Sequence, residues 1–375
     1  MRGKEFSSLN VQSHQPMDWL LRKGATMYVR NLTAAAAVLV LSLAGSSIAI
    51  SQEAQTFKVV GTWSNISAWQ NYERPFWTEW LPEASGGKLK GNPISMTDAG
   101  LKGYEIVRLL KLGLFDFAHG LIGYVSEGNG LIEGGDLAGM AQDFDTLRKV
   151  LDAYRPTLDA TFRRNFGARV LAMNPWPPSL LFCAKPVNGP GDLKGRKIRI
   201  HSASLGDYVE GAGGTSVTLP LGEVMPALER GVVDCAITDA MTAYRSKWQE
   251  VVRYVVPLKL AYSVSFTAVN ESRWNSLDPK SREIMEKTFR KMEEKGWENA
   301  IADDAQGLQC LTTGPCSAGK PGGLNLVVID EAGQKLHKEV LDKSVLVRWA
   351  KRCPQCVDTW NSTAGKAAGL TAPKS

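Results

Sequence analysis

The sequence predicts an α/β fold in two domains, on three observations. Short apolar runs alternate with helical patterns along most of the chain, which argues for a sheet flanked by helices rather than a β-sandwich. One run, Val232–Thr238 (VVDCAIT), is apolar on both faces, as in a strand buried inside a parallel sheet. The length of 375 residues suits two domains at roughly 100–200 residues each. With 44% apolar and 22% charged residues, composition is ordinary globular and excludes disorder, collagen and a coiled coil as descriptions of the whole. The formal charge of +6 is modest and lacks the concentrated basic footprint of a nucleic-acid binder.

The first element is an apolar run, Leu32–Ile50, preceded by Arg22, Lys23 and Arg30. Its strongly apolar part, Leu32–Ala44, is too short to cross a bilayer comfortably. A basic flank, a short apolar core and then small residues make the pattern of a secretory signal peptide. Ala49 and Ser51 place cleavage after Ser51, with Ala54 as a second candidate; an uncleaved membrane anchor is the alternative. A leader of 1–51 carries five basic and two acidic residues, so its removal lowers the net charge from +6 to +3. The mature chain is expected to be soluble and exported to the periplasm.

Phe57–Trp63 reads as a buried first strand. A helix from Asn65 runs through Trp80, broken by Pro75 and Pro82. Ile94–Met96 closes a second strand, and Lys102–Leu112 is a helix that Gly113 stops. Leu114–Ala118 is the third strand. Gly120–Gly139, rich in glycine and acidic residues, is expected to be a surface loop over the strand ends. Asp145–Asn165 is helical and Val170–Met173 a strand. Pro175, Pro177 and Pro178 then read as a crossover into the second domain.

That domain repeats the alternation. Its strands are Leu180–Ala184, Lys197–Ile200, Ser216–Leu219 and Val232–Thr238, with helices near Leu205–Ala212 and Glu223–Arg230. Two further strands follow, Val255–Leu260 and Ser263–Val269. Asp278-Pro279 opens a long helix, with Asp as N-cap and Pro as first helical residue. If continuous to Leu308, it is about 45 Å long at 1.5 Å per residue and reaches across two domains. A late strand, Leu324–Ile329, and amphipathic helices finish the chain.

No catalytic or nucleotide signature is present: no G-x-S-x-G, no H-E-x-x-H, no G-x-x-x-x-G-K-[ST]. His119 ends the third strand and is a candidate cleft residue, but no nucleophile pairs with it at a recognisable spacing. Asp303 and Asp304 read as a solvated helix face. Cys183 and Cys235 read as small buried strand residues. Cys310, Cys316, Cys353 and Cys356 are expected to form one or two disulfides in an oxidising compartment, their pairing left open; a four-thiolate zinc site is the lesser alternative. No cofactor or metal is expected.

Arg199 stands apart. In the strand KIRI, Ile198 and Ile200 face one way and Arg199 the other. It is either an edge-strand cation or a strand-end guanidinium in a cleft, where its planar fork holds a carboxylate through two parallel hydrogen bonds.

Four segments resemble one family. Asp192–Arg199 (DLKGRKIR) resembles the "DLKGxKIR" signature of TRAP-transporter solute-binding proteins, the DctP-like family. Val107–Asp116 (VRLLKLGLFD), Glu223–Asp234 (EVMPALERGVVD) and Val269–Pro279 (VNESRWNSLDP) resemble its other segments in the same order. The resemblance spans about residues 57–308. It implies a two-domain fold of the type II periplasmic-binding-protein kind, each lobe a mixed sheet flanked by helices, with the long helix spanning both. The implied lobes are 57–175 plus 266–308, and 176–265 plus 309–375. It implies no enzymatic activity, an organic-acid ligand, and the transporter's small and large membrane subunits as partners, with the receptor a monomer or homodimer. Arg199 matches the family's carboxylate-binding arginine. His119, Leu221, Thr238, Asp239 and Tyr262 match pocket-lining positions. Ser179 falls near a second arginine that some sialic-acid-binding members carry, a departure that weighs against a sugar acid of that kind. Trp63, Trp176, Tyr208 and Tyr262 are candidates for an aromatic wall. The alternatives are an exported hydrolase-like α/β enzyme and a binding protein that feeds a sensor.

Overall fold

The computed structural model describes residues 54–374. The expected leader, with its apolar run and cleavage position, lies outside them. Among the described residues, no helix is long and apolar enough to cross a membrane.

Among the described residues, nine strands form one sheet: β1 Gln55–Gly61, β2 Leu89–Ser95, β3 Phe117–Leu121, β4 Ala168–Cys183, β5 Lys197–Ile200, β6 Thr215–Thr218, β7 Cys235–Asp239, β8 Tyr254–Asn270 and β9 Asn325–Leu326. Their order is β2-β1-β3-β8-β4-β7-β5-β6, with β9 beside β8. β1, β2 and β3 are parallel to one another, as are β5, β6 and β7. The long strands β8 and β4 are antiparallel to each other and join the two triples. β3 pairs with the end of β8, Ser265–Val269, and β7 with the end of β4, Ser179–Cys183. The fold is therefore two-lobed, with both lobes sharing one ribbon.

The sequence reading had divided this ribbon. Val170–Met173 and Leu180–Ala184 are parts of one strand, β4, and Val255–Leu260 and Ser263–Val269 are parts of β8. The prolines do not end β4, because its register against β8 shifts between Pro175 and Pro178. A bulge absorbs residues that cannot donate a ladder hydrogen bond. Gly120–Gly139 is also not a surface loop. It carries two short helices, Ile122–Val125 and Gly130–Glu133, and buries Tyr124, Ile132 and Glu133. The late strand shrinks to Asn325–Leu326.

Cys183 and Cys235 lie directly opposite each other on β4 and β7 and are disulfide-bonded. They are not isolated apolar fillers; only strand register, which the sequence does not print, brings them together. Cys310 pairs with Cys316 and Cys353 with Cys356.

The long helix, Pro279–Leu311, is capped by Asp278 and is continuous, as its Asp-Pro start predicts. Gly307 lets it lie against the helix Ala240–Arg245, since a Cβ there would meet Ala240 Cβ at 2.7 Å. The expected helix after Asn65 spans 67–84 and contains two wide π turns, Trp69–Glu73 and Phe76–Trp80. Its Glu73 is buried, and its Oε2 accepts from Thr62 N–H at 2.8 Å and Thr62 Oγ1 at 2.9 Å. Those bonds fix the end of β1, where Trp63 follows.

Burial pushes Glu73 up to about 7, against the pull of the Thr62 hydrogen bonds. The folded state thus holds this proton more tightly than the unfolded chain does. The associated stability is complete below about pH 4.5 and is lost as pH rises through about 7. Glu73→Gln should remove that part of the slope. Urea titrations at pH 5 and pH 8 should show the variant gaining on wild type by up to about 3 kcal/mol at the higher pH. Equal pH dependence in the two proteins would contradict the assignment.

Candidate functional site

Strand ends from both halves of the sheet converge on one small cavity of about 20 Å³. Its walls are Trp63, Leu121, Tyr124, Trp176, Ser179, Arg199, His201, Leu221, Thr238, Asp239, Thr242 and Ser263. Seven residues singled out from the sequence therefore meet here: Arg199, Trp63, Trp176, Ser179, Leu221, Thr238 and Asp239.

Arg199 is 1% exposed. Its Nε donates to Leu219 O and one Nη to Ile237 O, both at 2.9 Å, and the other Nη donates to the Tyr124 hydroxyl at 3.1 Å. A guanidinium has five N–H groups, so one N–H on each terminal nitrogen remains for a ligand. All three partners are neutral. Among the described residues, Arg199 is in none of the ion pairs. A buried cation without a counter-charge is costly and is ordinarily paired.

Around it the cavity is aromatic on one side. Trp63 meets Tyr124 edge-on at 5.5 Å and Trp176 at 6.3 Å. The other side is polar. Ser179 and Asp239 are cross-strand partners on β4 and β7. Asp239 Oδ1 accepts from Thr242 N–H at 2.8 Å, capping Ala240–Arg245. Burial raises Asp239 to about 7 despite these bonds. Behind Trp176, Asp239 and Thr242 lies a second, smaller compartment of about 10 Å³, which Ser67, Asn299 and Asp303 also line. Asp303 accepts from Ser67 Oγ and Asn299 Nδ2 and is half-buried against the 67–84 helix. It does not sit on the solvated face expected of it.

His201 Nε2 lies 3.0 Å from Ser263 Oγ. This serine–histidine pair is not a catalytic couple. Burial and the neighbouring Arg199 cation push His201 down to about 3, far from the value near 7 that a general base needs.

Three candidates, His119, Tyr262 and Tyr208, lie outside the cavity. The expected third strand stopped at Ala118, but β3 runs on to Leu121, so the strand-end position belongs to Leu121 and the following turn. His119 sits deeper, receiving Trp77 Nε1–H at 2.8 Å on Nε2, with Thr267 Oγ1 2.9 Å from Nδ1. Burial holds it neutral, with its pKa lowered to about 3. Tyr262 precedes Ser263 on β8, and alternation turns it to the other face. There it packs on Phe144 at 5.0 Å and donates to Gln142 O at 3.3 Å. Tyr208 bonds His337 Nδ1 at 2.9 Å and lines neither compartment.

Leu121, Tyr124, His201, Thr242 and Ser263 were missed. Tyr124 follows the end of β3 closely, so the correct end of that strand would have flagged it, whereas His201 directly follows β5, whose end at Ile200 was read correctly. A larger groove of about 500 Å³ between the helices Phe144–Phe166 and Pro279–Leu311 has a different character. Its Arg155 pairs with Glu293, and its Arg163 with Asp159 and Glu271. Among the described residues, no cluster of three or more His, Cys, Asp or Glu is poised to hold a metal.

Comparison with known proteins agrees with this architecture. The sequence profile of bacterial extracellular solute-binding proteins, family 7 (DctP), matches residues 59–344. The 2,3-diketo-L-gulonate-binding periplasmic protein YiaO of Escherichia coli is 25% identical over 174 residues, 46% of this chain and 50% of YiaO. The chain thus spans about half the length of that curated relative. DctP7 of Bordetella pertussis, an extracytoplasmic solute receptor binding pyroglutamic acid, superposes with a TM-score of 0.71 at 23% identity, covering 84% of this chain and 97% of its own. A TRAP periplasmic solute-binding protein of Desulfovibrio salexigens with bound orotic acid gives 0.75 at 16% identity, covering 84% and 98%. With the profile matching most of its length, the chain belongs to the bacterial extracellular solute-binding protein family 7.

Proposed function

We propose that this protein is the extracytoplasmic receptor of a TRAP transporter and captures a small organic acid through Arg199. The carrying observation is the buried guanidinium with two unused N–H groups and, among the described residues, no acidic partner. A ligand carboxylate accepts both in parallel and supplies the missing charge. Arg199 is the one cation among the cavity residues, since His201 is neutral, so the ligand presents one carboxylate there. Ser179, Thr238, Asp239 and Ser263 meet its other polar atoms. The acids named for YiaO, DctP7 and the Desulfovibrio protein support the same class.

In this reading the signal peptide exports the chain. The lobes are 57–175 plus 266–308, and 176–265 plus 309–375. The two halves of the sheet support the division of the strands, whereas the end of the tail packs on lobe I, where Trp349 Nε1 donates to Gly130 O at 3.0 Å and Trp360 Nε1 to Gly134 O at 2.9 Å. Hinge closure buries the ligand, and the small and large membrane subunits receive it from the closed receptor. No bond is made or broken.

The test is a thermal-shift screen of unfolded and refolded protein against a carboxylate library. A ligand at about 100 times its Kd stabilises the fold by about 2.7 kcal/mol, or several degrees in Tm. Refolded protein that responds to no acid in the library would refute the reading.

A further inference from the structure

Resting on that reading, we infer that Tyr124 is the positioning residue that couples lobe closure to the carboxylate anchor. Tyr124 belongs to the half of the sheet built on β1, β2 and β3, on the short helix directly after β3. Its hydroxyl oxygen accepts two hydrogen bonds, both from the other half. One comes from Arg199 Nη at 3.1 Å and the other from Leu221 N–H at 3.0 Å. The other two Arg199 bonds, to Leu219 O and Ile237 O, stay within the arginine's own half. Tyr124 is thus the cross-cleft member of the set that aims the guanidinium.

The Leu221 contact has its own logic. Leu221 opens the helix Leu221–Glu229, whose N-cap is Pro220, and no side chain of that cap bonds the helix. The first N–H groups of a helix need an outside acceptor, and Tyr124 supplies one from across the cleft. The ring is held for the task. Tyr104 stacks on it at 4.5 Å, Trp63 abuts it, and Gly103 leaves room, since a Cβ there would meet Tyr124 Cδ2 at 2.9 Å. Burial raises the phenol pKa, so the hydroxyl keeps its proton. With both lone pairs occupied by Arg199 and Leu221, that proton is directed elsewhere, as a third donor for the carboxylate beside the two N–H groups. Lys102 and Glu223 also meet across the halves, at 2.5 Å, but both are largely exposed, and such pairs hold little.

The experiment compares wild type, Tyr124→Phe and, as control, Tyr104→Phe. Binding and dissociation of pyroglutamate, orotate, L-gulonate, D-glucuronate and succinate are followed by stopped-flow tryptophan fluorescence. Tyr124→Phe keeps the ring packing and removes only the oxygen. It should speed dissociation of the acid that binds by about ten- to a hundredfold and change association less than threefold. Tyr104→Phe should match wild type. In wild type, hydrogen exchange at the Leu221 amide should slow when that acid is added. This second reading does not depend on the variant folding. Unchanged dissociation in Tyr124→Phe, or unchanged exchange at Leu221, would overturn the inference and leave the receptor reading standing. Wild type that binds none of the five acids and none in the wider library would overturn both.

Discussion

Arg199→Met abolishes the thermal shift that a carboxylate ligand gives wild type, and raises Kd by at least about a hundredfold. The magnitude follows from burial. Removing one partner of a buried charge pair costs about 3–5 kcal/mol, because the ligand carboxylate is then left desolvated and unpaired. Methionine retains much of the arginine's volume, so packing changes little. Without ligand the effect is small and of mixed sign. Two backbone carbonyls, Leu219 O and Ile237 O, lose a donor, while a buried cation without a counter-charge disappears. Tm in the absence of ligand should therefore move by only a few degrees. Arg199→Lys should fall between the two, since an ammonium keeps the charge and loses the two-pronged geometry. Calorimetry showing equal affinity in Met and wild type would remove Arg199 from the site.

Trp77→Ala is the largest expected loss of stability. Trp77 is fully buried and its ring meets Phe76 and Phe117 at 4.7 Å and Phe289 at 5.7 Å. Gly91 is a glycine because a Cβ there would meet the indole at 2.7 Å, so the cavity left behind is walled by rigid backbone and aromatic rings. Truncating a buried tryptophan costs about 3–5 kcal/mol. Here the loss also strands His119 Nε2, the acceptor of the indole N–H, and a buried orphan adds about 1–3 kcal/mol. Urea unfolding should show the sum, and Tm should fall by roughly 10 °C or more. Trp77→Phe should recover part of the packing and none of the hydrogen bond. A loss below about 1.5 kcal/mol in Trp77→Ala would contradict this account. Since Trp77 is not a cavity residue, folded variant should bind ligand as wild type does.

What was legible in the sequence was local. The turn DLKG and the alternation in KIRI identified β5 and pointed Arg199 away from Ile198 and Ile200, into the cavity where it is found. Asp278-Pro279 started the long helix correctly. Legibility failed where a partner strand decides the outcome. Pro175, Pro177 and Pro178 read as a break because the sequence does not reveal that β8 tolerates a register shift opposite them. Cys183 and Cys235, 52 residues apart, become neighbours through the same pairing. The errors in the site were errors of one to three residues along a strand. Ending β3 at Ala118 instead of Leu121 put His119 in place of Tyr124, and an even-for-odd slip on β8 put Tyr262 in place of Ser263.

The placement of β8 also sets the order of assembly. β3 finishes at Leu121, yet the strand that covers its open side is not synthesised until Ser265–Val269. β4 waits similarly for Tyr254–Asn270. Neither half of the sheet completes its hydrogen-bond ladder while the ribosome is still making the middle of the chain, and contacts so distant in sequence form slowly. The interleaving that lets two lobes share a ribbon thus also delays folding until synthesis has passed Val269.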